Sequence, residues 1–328
     1  MTMEKANNTE TKRKSIFRPD VLREYGNIFI LVLIILVMLV LNPRFLGINN
    51  ILNISRQMVP VGLLALGAMF VIMSGGLDLS AAFGVSLAAV IFGLVYEKSV
   101  NIFIIILITV VAGILMGILN GLVITRLKML PFIVTLATMA IFQGVTYLVS
   151  GAKLIYIENP FITFLGSGTI LKIPSSFIFL VFFYFIGYVI LNQTKLGTYI
   201  IAIGNNEKSS VLAGINIDKY KFYIYAFSGF CTGLTAVLLV SKVQMSVPSI
   251  GGLSLLLDAV AATILGGTSL SGGKGTIRGT FVGVLLIVII GNIINLLSID
   301  ANYRDVIKGL VIIAVLLFDR AINIKRAA

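Results

Sequence analysis

Ten apolar runs, almost free of charge, follow one another along 328 residues and leave little chain for anything else. They cover about 25–43, 57–77, 79–96, 99–125, 129–152, 173–194, 222–241, 243–273, 279–299 and 306–318. A helix needs roughly 20 apolar residues to cross a bilayer, and these runs suit that length. The eighth is interrupted by Asp258, so that only 252–265 has the character of membrane core, and the tenth is short and contains Lys308. Lysine at a span end can snorkel to the interface. Composition agrees: 58% of residues are hydrophobic and 12% charged, against roughly a quarter charged in soluble domains. The expected fold is all-α, a polytopic membrane protein of about ten transmembrane helices.

Basic residues orient such a chain, because they are retained on the cytoplasmic side. With ten spans and a cytoplasmic N-terminus, 17 of the 25 basic residues fall inside. Dropping one span would put the basic C-terminal tail outside. Both termini are therefore expected in the cytoplasm. The chain divides into a tail at 1–24, one permeating domain at 25–318 and a second tail at 319–328. The first run has no small-residue cleavage site behind it and reads as a retained span. Two connections exceed a simple turn: an external one at 153–172 and a cytoplasmic one at about 192–221. The second holds a short helical pattern, 206–213, closed by Gly214.

Several chemistries are excluded. Histidine is absent and Cys231 is the one cysteine, which removes the usual proton relay, a disulfide framework and a cysteine-based zinc site. The net charge of +12 lies at span ends, as a topology signal does, so nucleic acid is not an expected partner. Residues 265–280, LGGTSLSGGKGTIRGT, invite a phosphate-loop reading but fail it. The pattern needs G-x-x-x-x-G-K-[ST], whereas Gly273 stands between Gly272 and Lys274, and Gly275 follows the lysine. A tight inter-helical turn within a solute pathway is the reading kept.

An earlier segment matches that turn. Gly75-Gly76 with Ser80 and Gly84, aligned on Gly266-Gly267 with Ser271 and Gly275, gives G-G-x-x-L-S-x-x-x-G twice. Paired glycine breaks in hydrophobic segments point to a transport site; chance recurrence among 32 glycines is the alternative. Candidates for lining or gating the pathway are Gly75, Gly76, Asp78, Ser80, Asp258, Gly266, Gly267, Thr268 and Ser269. Asp78 and Asp258 are carboxylates within apolar runs, where they are costly unless they face a cavity or partner. Asp78 could instead cap the third span, and Asp258 could mark a polar cluster or helix break. An intramembrane aspartyl protease would need the two in contact. Asn120, Gln143, Asn292 and Asn295 could hydrogen-bond across helices, and Gly113, Gly117 and Gly121 form a small-residue stripe for close packing.

Three segments in order, SGGLDLS at 74–80, GNNEKSSVLAGINIDKYK at 204–221 and LDAVAATILGGTSLSGGKGTIRGT at 257–280, resemble the permease subunits of bacterial ABC importers for monosaccharides, the ribose-type group. The resemblance runs from the first span to Phe318. It implies a permease dimer in the inner membrane, docked on cytoplasmic ATPase subunits and served by an external sugar-binding protein. It also implies no cofactor in this chain, ATP and Mg being used by the partner ATPase. Coupling to that ATPase would fall to Gly204, Asn205, Asn206, Glu207, Lys208, Leu212, Gly214 and Ile215. The E-A-A-x-x-x-G coupling motif of other importers is not matched. Alternatives are the same machine for a furanone signal, a nucleoside or a branched-chain amino acid, or a self-sufficient carrier or channel.

Overall fold

The computed structural model describes residues 42–297 without a break, together with isolated residues of 31–39 and 300–313. Eleven α-helices occupy the continuous stretch: α1 (Ile48–Met73), α2 (Ala81–Tyr96), α3 (Ile102–Arg126), α4 (Pro131–Ser150), α5 (Pro160–Ser167), α6 (Ser175–Gln193), α7 (Lys195–Asn205), α8 (Glu207–Leu212), α9 (Ile217–Val243), α10 (Leu253–Leu265) and α11 (Ile277–Leu296). Six of them, α1, α3, α4, α6, α9 and α11, are long and apolar enough to cross a membrane, whereas α2 and α10 are apolar but shorter. The chain is thus a polytopic helical membrane protein. The two outermost expected spans, 25–43 and 306–318, lie largely outside the described residues. The tails at 1–24 and 319–328 lie wholly outside them.

Local chemistry explains many helix ends. The Asn101 side chain accepts from Phe103 N–H at the start of α3, as an N-cap should. Pro131 opens α4, and Gly151, in the left-handed region at φ 57°, closes it. Four two-residue strands sit in the connections. β1 (Ile155–Tyr156) pairs antiparallel with β4 (Met245–Ser246), and β2 (Thr169–Ile170) with β3 (Ile173–Pro174). The β1–β4 pair ties the α4–α5 connection to the end of α9.

Helices α1 and α9 are the most enclosed of the six long ones. The most extensive packing is between α3 and α9. A β-carbon on Gly113 would strike the backbone of Gly229 and Gly233, and one on Gly117 the carbonyl of Tyr225. The stripe read from the sequence therefore has a counterpart, Gly229-x-x-x-Gly233, which was not foreseen. In a bilayer, such small-residue faces let backbones approach and gain dispersion contacts.

Helix boundaries differ from the expected spans where charge intervenes. α1 begins at Ile48, well before Gln57, and continues through Arg56, whose guanidinium donates to the Ser167 carbonyl at 3.4 Å. α9 begins at Ile217, so the connection expected at 192–221 is not an open loop but is filled by α7, α8 and the first turn of α9. A helix ends where its caps are, not where the apolar run stops. Replacing Gly117 with Ala should lower the melting midpoint of the detergent-purified protein, because the methyl meets backbone that cannot move aside. Overpacking of this kind costs about 1–3 kcal/mol. Gly144→Ala, in the interior of α4 with nothing within 4 Å, should not lower the midpoint and should raise it slightly, because alanine is the better helix former.

Candidate functional site

Three helices end in the same way at the three motifs singled out by sequence. At the end of α1, Gly75 takes φ 80°; its N–H donates to the Ile72 carbonyl at 2.9 Å and Gly76 N–H to the Val71 carbonyl at 3.0 Å. At the end of α10, Gly267 takes φ 85°; its N–H donates to Ile264 at 2.8 Å and Thr268 N–H to Thr263 at 3.2 Å. At the end of α8, Gly214 takes φ 78°; its N–H donates to Val211 at 2.9 Å and Ile215 N–H to Ser210 at 3.0 Å. Each is a complete Schellman cap, with glycine at the left-handed position where a β-carbon would be strained. The caps also correct the sequence alignment. Gly75 corresponds to Gly267, not Gly266, so the two glycine pairs are offset by one residue.

These ends are brought together. Gly273 N–H donates to the Met73 carbonyl at 2.8 Å, joining the α10–α11 loop to the end of α1. Gly204, near the end of α7, presses its Cα face against that same carbonyl and the Gly273 backbone, leaving no room for a side chain. Gly272 lies against Gly204, and Gly273 against Asn205. Ser269 closes the loop, its N–H donating to the Lys274 carbonyl at 3.0 Å. Gly266 packs on the backbone of Gly279 and Thr280 and so fixes α10 against α11. Thr268 is buried, and its hydroxyl has no hydrogen-bond partner among the described residues.

Asp78 is buried and held by three donations. Its Oδ1 accepts from Ser80 N–H at 3.1 Å and Ser80 Oγ at 2.7 Å, and its Oδ2 from Ser228 Oγ on α9 at 2.9 Å. Asn120 Nδ2 on α3 donates to Ser80 Oγ at 2.8 Å, and Thr135 Oγ1 on α4 donates to the Leu77 carbonyl at 3.1 Å. The N-cap of α2 is Ser80, so Asp78 stands two residues before it and locks the α1–α2 turn to three other helices. Asp258 is elsewhere, lining a chamber with Gln57 and Val61 of α1. The two carboxylates do not form the shared-proton pair that a protease requires.

Helix α8 stands at the same end of the bundle. Asn206 caps it, accepting from Ser209 N–H at 3.0 Å, and Glu207 pairs with Lys221 of α9 at 2.9 Å. Lys208 is exposed, and Leu212 is 89% exposed. Ile215, in contrast, is half-buried and lines a groove of about 560 Å³ that also includes Gly75, Lys128 and Asp218. The α3–α4 turn was not foreseen here; its exposed Leu127, Met129 and Leu130 were the available signal. Of the polar residues within spans, Asn120 bonds Ser80, Asn292 exchanges two amide bonds with Asn50, and Gln143 is exposed.

The family described as branched-chain amino acid transport system / permease component matches residues 50–316. The chain belongs to that family. Relatives within reach of this chain include the ribose import permease protein of Bacillus subtilis (strain 168), 38% identical, with 96% of this chain and 98% of the relative covered. The D-allose transport system permease protein of Escherichia coli (strain K12) is 32% identical, with 92% of each covered. The L-arabinose transport system permease protein of the same strain is 30% identical, with 90% of each covered. No solved structure matches the chain. The family match takes in all three glycine-capped ends and all of the eleven helices but the first two residues of α1.

The Asp78 network can be tested by a double-mutant cycle. Ser228→Ala removes one donor to a buried carboxylate and should cost about 1.5–3 kcal/mol. Asp78→Asn should cost stability as well, and the two together should cost less than their sum. Thermal unfolding of the three variants in detergent measures the difference.

Proposed function

We propose that this chain is the membrane permease subunit of an ATP-driven importer that moves a monosaccharide. The observation that carries this reading is the near end-to-end similarity to permeases whose names specify ribose, allose and arabinose. The proposed arrangement has ten spans with both termini in the cytoplasm of a bacterial inner membrane. Two permease copies, or this chain and a homologue, would form the pathway. A separate ATPase would use ATP and Mg on the cytoplasmic side, and an external binding protein would deliver the sugar. This chain would have no ATPase site of its own.

Geometry supports the coupling role of α8. It is short, capped and salt-bridged to α9, and it presents Leu212 outward on a rigid mount. Exposed apolar anchors on a fixed element suit docking to a partner. Motion imposed there would reach α1 and α10 through Gly204, Met73 and Gly273, which touch backbone to backbone. The family description favours a second reading, the same machine carrying a branched-chain amino acid. Uptake of labelled ribose and of labelled leucine by cells with and without this chain decides between the two.

Leu212→Asp should leave the amount of chain in the membrane unchanged, since the side chain is almost fully exposed. It should nevertheless abolish co-purification with the ATPase and reduce sugar uptake at least tenfold. Uptake at the unaltered rate would remove α8 from the docking surface. The purified chain alone in liposomes should pass no sugar; flux without partners would instead establish a self-sufficient carrier.

A further inference from the structure

Four polar side chains from four helices converge on one chamber far from α8. Gln57 of α1, Lys242 of α9, Asp258 of α10 and Asn295 of α11 line a space of about 150 Å³, with Val61 and Ile287 as apolar wall. Val61, Asp258 and Ile287 form its inner end, at mid-height of α1, α10 and α11, whereas Gln57, Lys242 and Asn295 lie toward the helix ends opposite α8. At 1.5 Å per residue Val61 stands about 20 Å from either end of α1. A carboxylate at the depth of Val61 is costly and normally faces a water-filled space or pathway. Its helix is unusual too. α10 has thirteen residues, about 20 Å, too few to cross alone. The chain reaches its start through a non-helical stretch in which Gly251 N–H donates to Ser86 Oγ and Gly252 N–H to the Ala82 carbonyl. Interrupted helices at mid-membrane commonly build solute sites.

The chemistry of the lining selects a ligand class. Carboxylate oxygens accept from hydroxyls, an ammonium donates to them, and two carboxamides do both. The apolar wall suits the C–H face of a ring. A volume equal to roughly five liquid waters is on the scale of a single small ring, not of an oligomer. We infer that this chamber is a transient station for a neutral polyhydroxylated ring on its way through the membrane, with Asp258 and Asn295 as its principal hydroxyl contacts. The inference rests on the sugar-permease reading and adds to it a location and named contacts. Binding there must be weak, because the solute has to leave as readily as it enters.

The test uses the complete importer, this chain with its ATPase and binding protein in proteoliposomes, and ribose, allose and arabinose as probes. The quantity read is sugar moved per ATP hydrolysed. Asp258→Asn and Asn295→Ala should each lower that ratio about tenfold while hydrolysis stimulated by the loaded binding protein persists. An unchanged ratio, or hydrolysis and uptake falling together, overturns the station and leaves the permease reading in place. If the unaltered importer moves none of the three sugars, the sugar reading falls and the station falls with it. Should Asp258→Asn fail to fold, Asn295→Cys carries the test, because its side chain is exposed and Cys231, the other thiol, is buried. Sugar present during turnover should slow maleimide labelling at position 295 several-fold. Labelling at the same rate with and without sugar overturns the proposal.

Discussion

The crossing of α3 and α9 is the contact on which the rest of the bundle depends. Glycines on both helices remove the β-carbons where the two pass closest, so backbone meets backbone at Gly113, Gly117, Gly229 and Gly233. Lipid offers apolar side chains no reason to cluster, so this close approach is a main source of association energy. It also places polar side chains. Asn120 stands beside Gly121 on α3, and Ser228 beside Gly229 on α9. With the two helices held this close, Ser228 reaches the Asp78 carboxylate and Asn120 reaches Ser80. A buried carboxylate is then satisfied by hydroxyl and amide donors, without a basic partner among the described residues. The cost of burying it is offset only while all the donors stay in place. The glycine contact therefore fixes the shape of the α1–α2 turn.

That turn is one of three glycine-capped ends, and the repetition has a physical reason. A helix that ends inside or beside a membrane leaves its last carbonyls without water, and each must find a donor. The Schellman cap supplies two donors from the chain itself and turns the backbone sharply. At α1 and α10 it returns the chain toward the bundle, and at α8 it redirects it into α9. Because the caps are compact, the Met73 carbonyl is left free to accept from Gly273, and Gly204 can lie against it.

Much of this was legible in the residues, and the reasons for the rest are specific. The small-residue stripe on α3 and the glycine pairs at 75–76 and 266–267 carry their meaning locally, since each glycine marks a left-handed turn or a close approach. The pairing of that stripe with Gly229 and Gly233 was not visible, because a stripe does not name its partner. The one-residue offset between the two glycine pairs was hidden for a related reason: letters align, but only φ shows which glycine takes the turn. Span ends at Gln57 and Phe222 were misplaced because charges at 56 and 218–221 interrupt hydropathy without interrupting a helix. The chamber around Asp258 required three residues from distant parts of the chain, and no spacing in the sequence links Gln57, Lys242 and Asn295.

Helix α10 connects the chamber to the glycine-capped end of the bundle. Its first half carries Asp258 into the chamber, and its last turn ends at the loop that touches Met73 and Gly204. Thr263 Oγ1 donates to the Ala65 carbonyl at 3.2 Å in its last turn, which ties that end of α10 to α1. The stretch before α10 is tied to α2 by Gly251 and Gly252, and α2 begins beside the Asp78 network. A shift of α8 by a docked partner thus meets packed backbone at Gly204, then a helix of only thirteen residues, and then the polar chamber. A short helix anchored at both ends transmits displacement with little bending. The chamber is therefore placed where a push from the α8 end changes its shape, which is what a station must allow if the solute is to be released and not held.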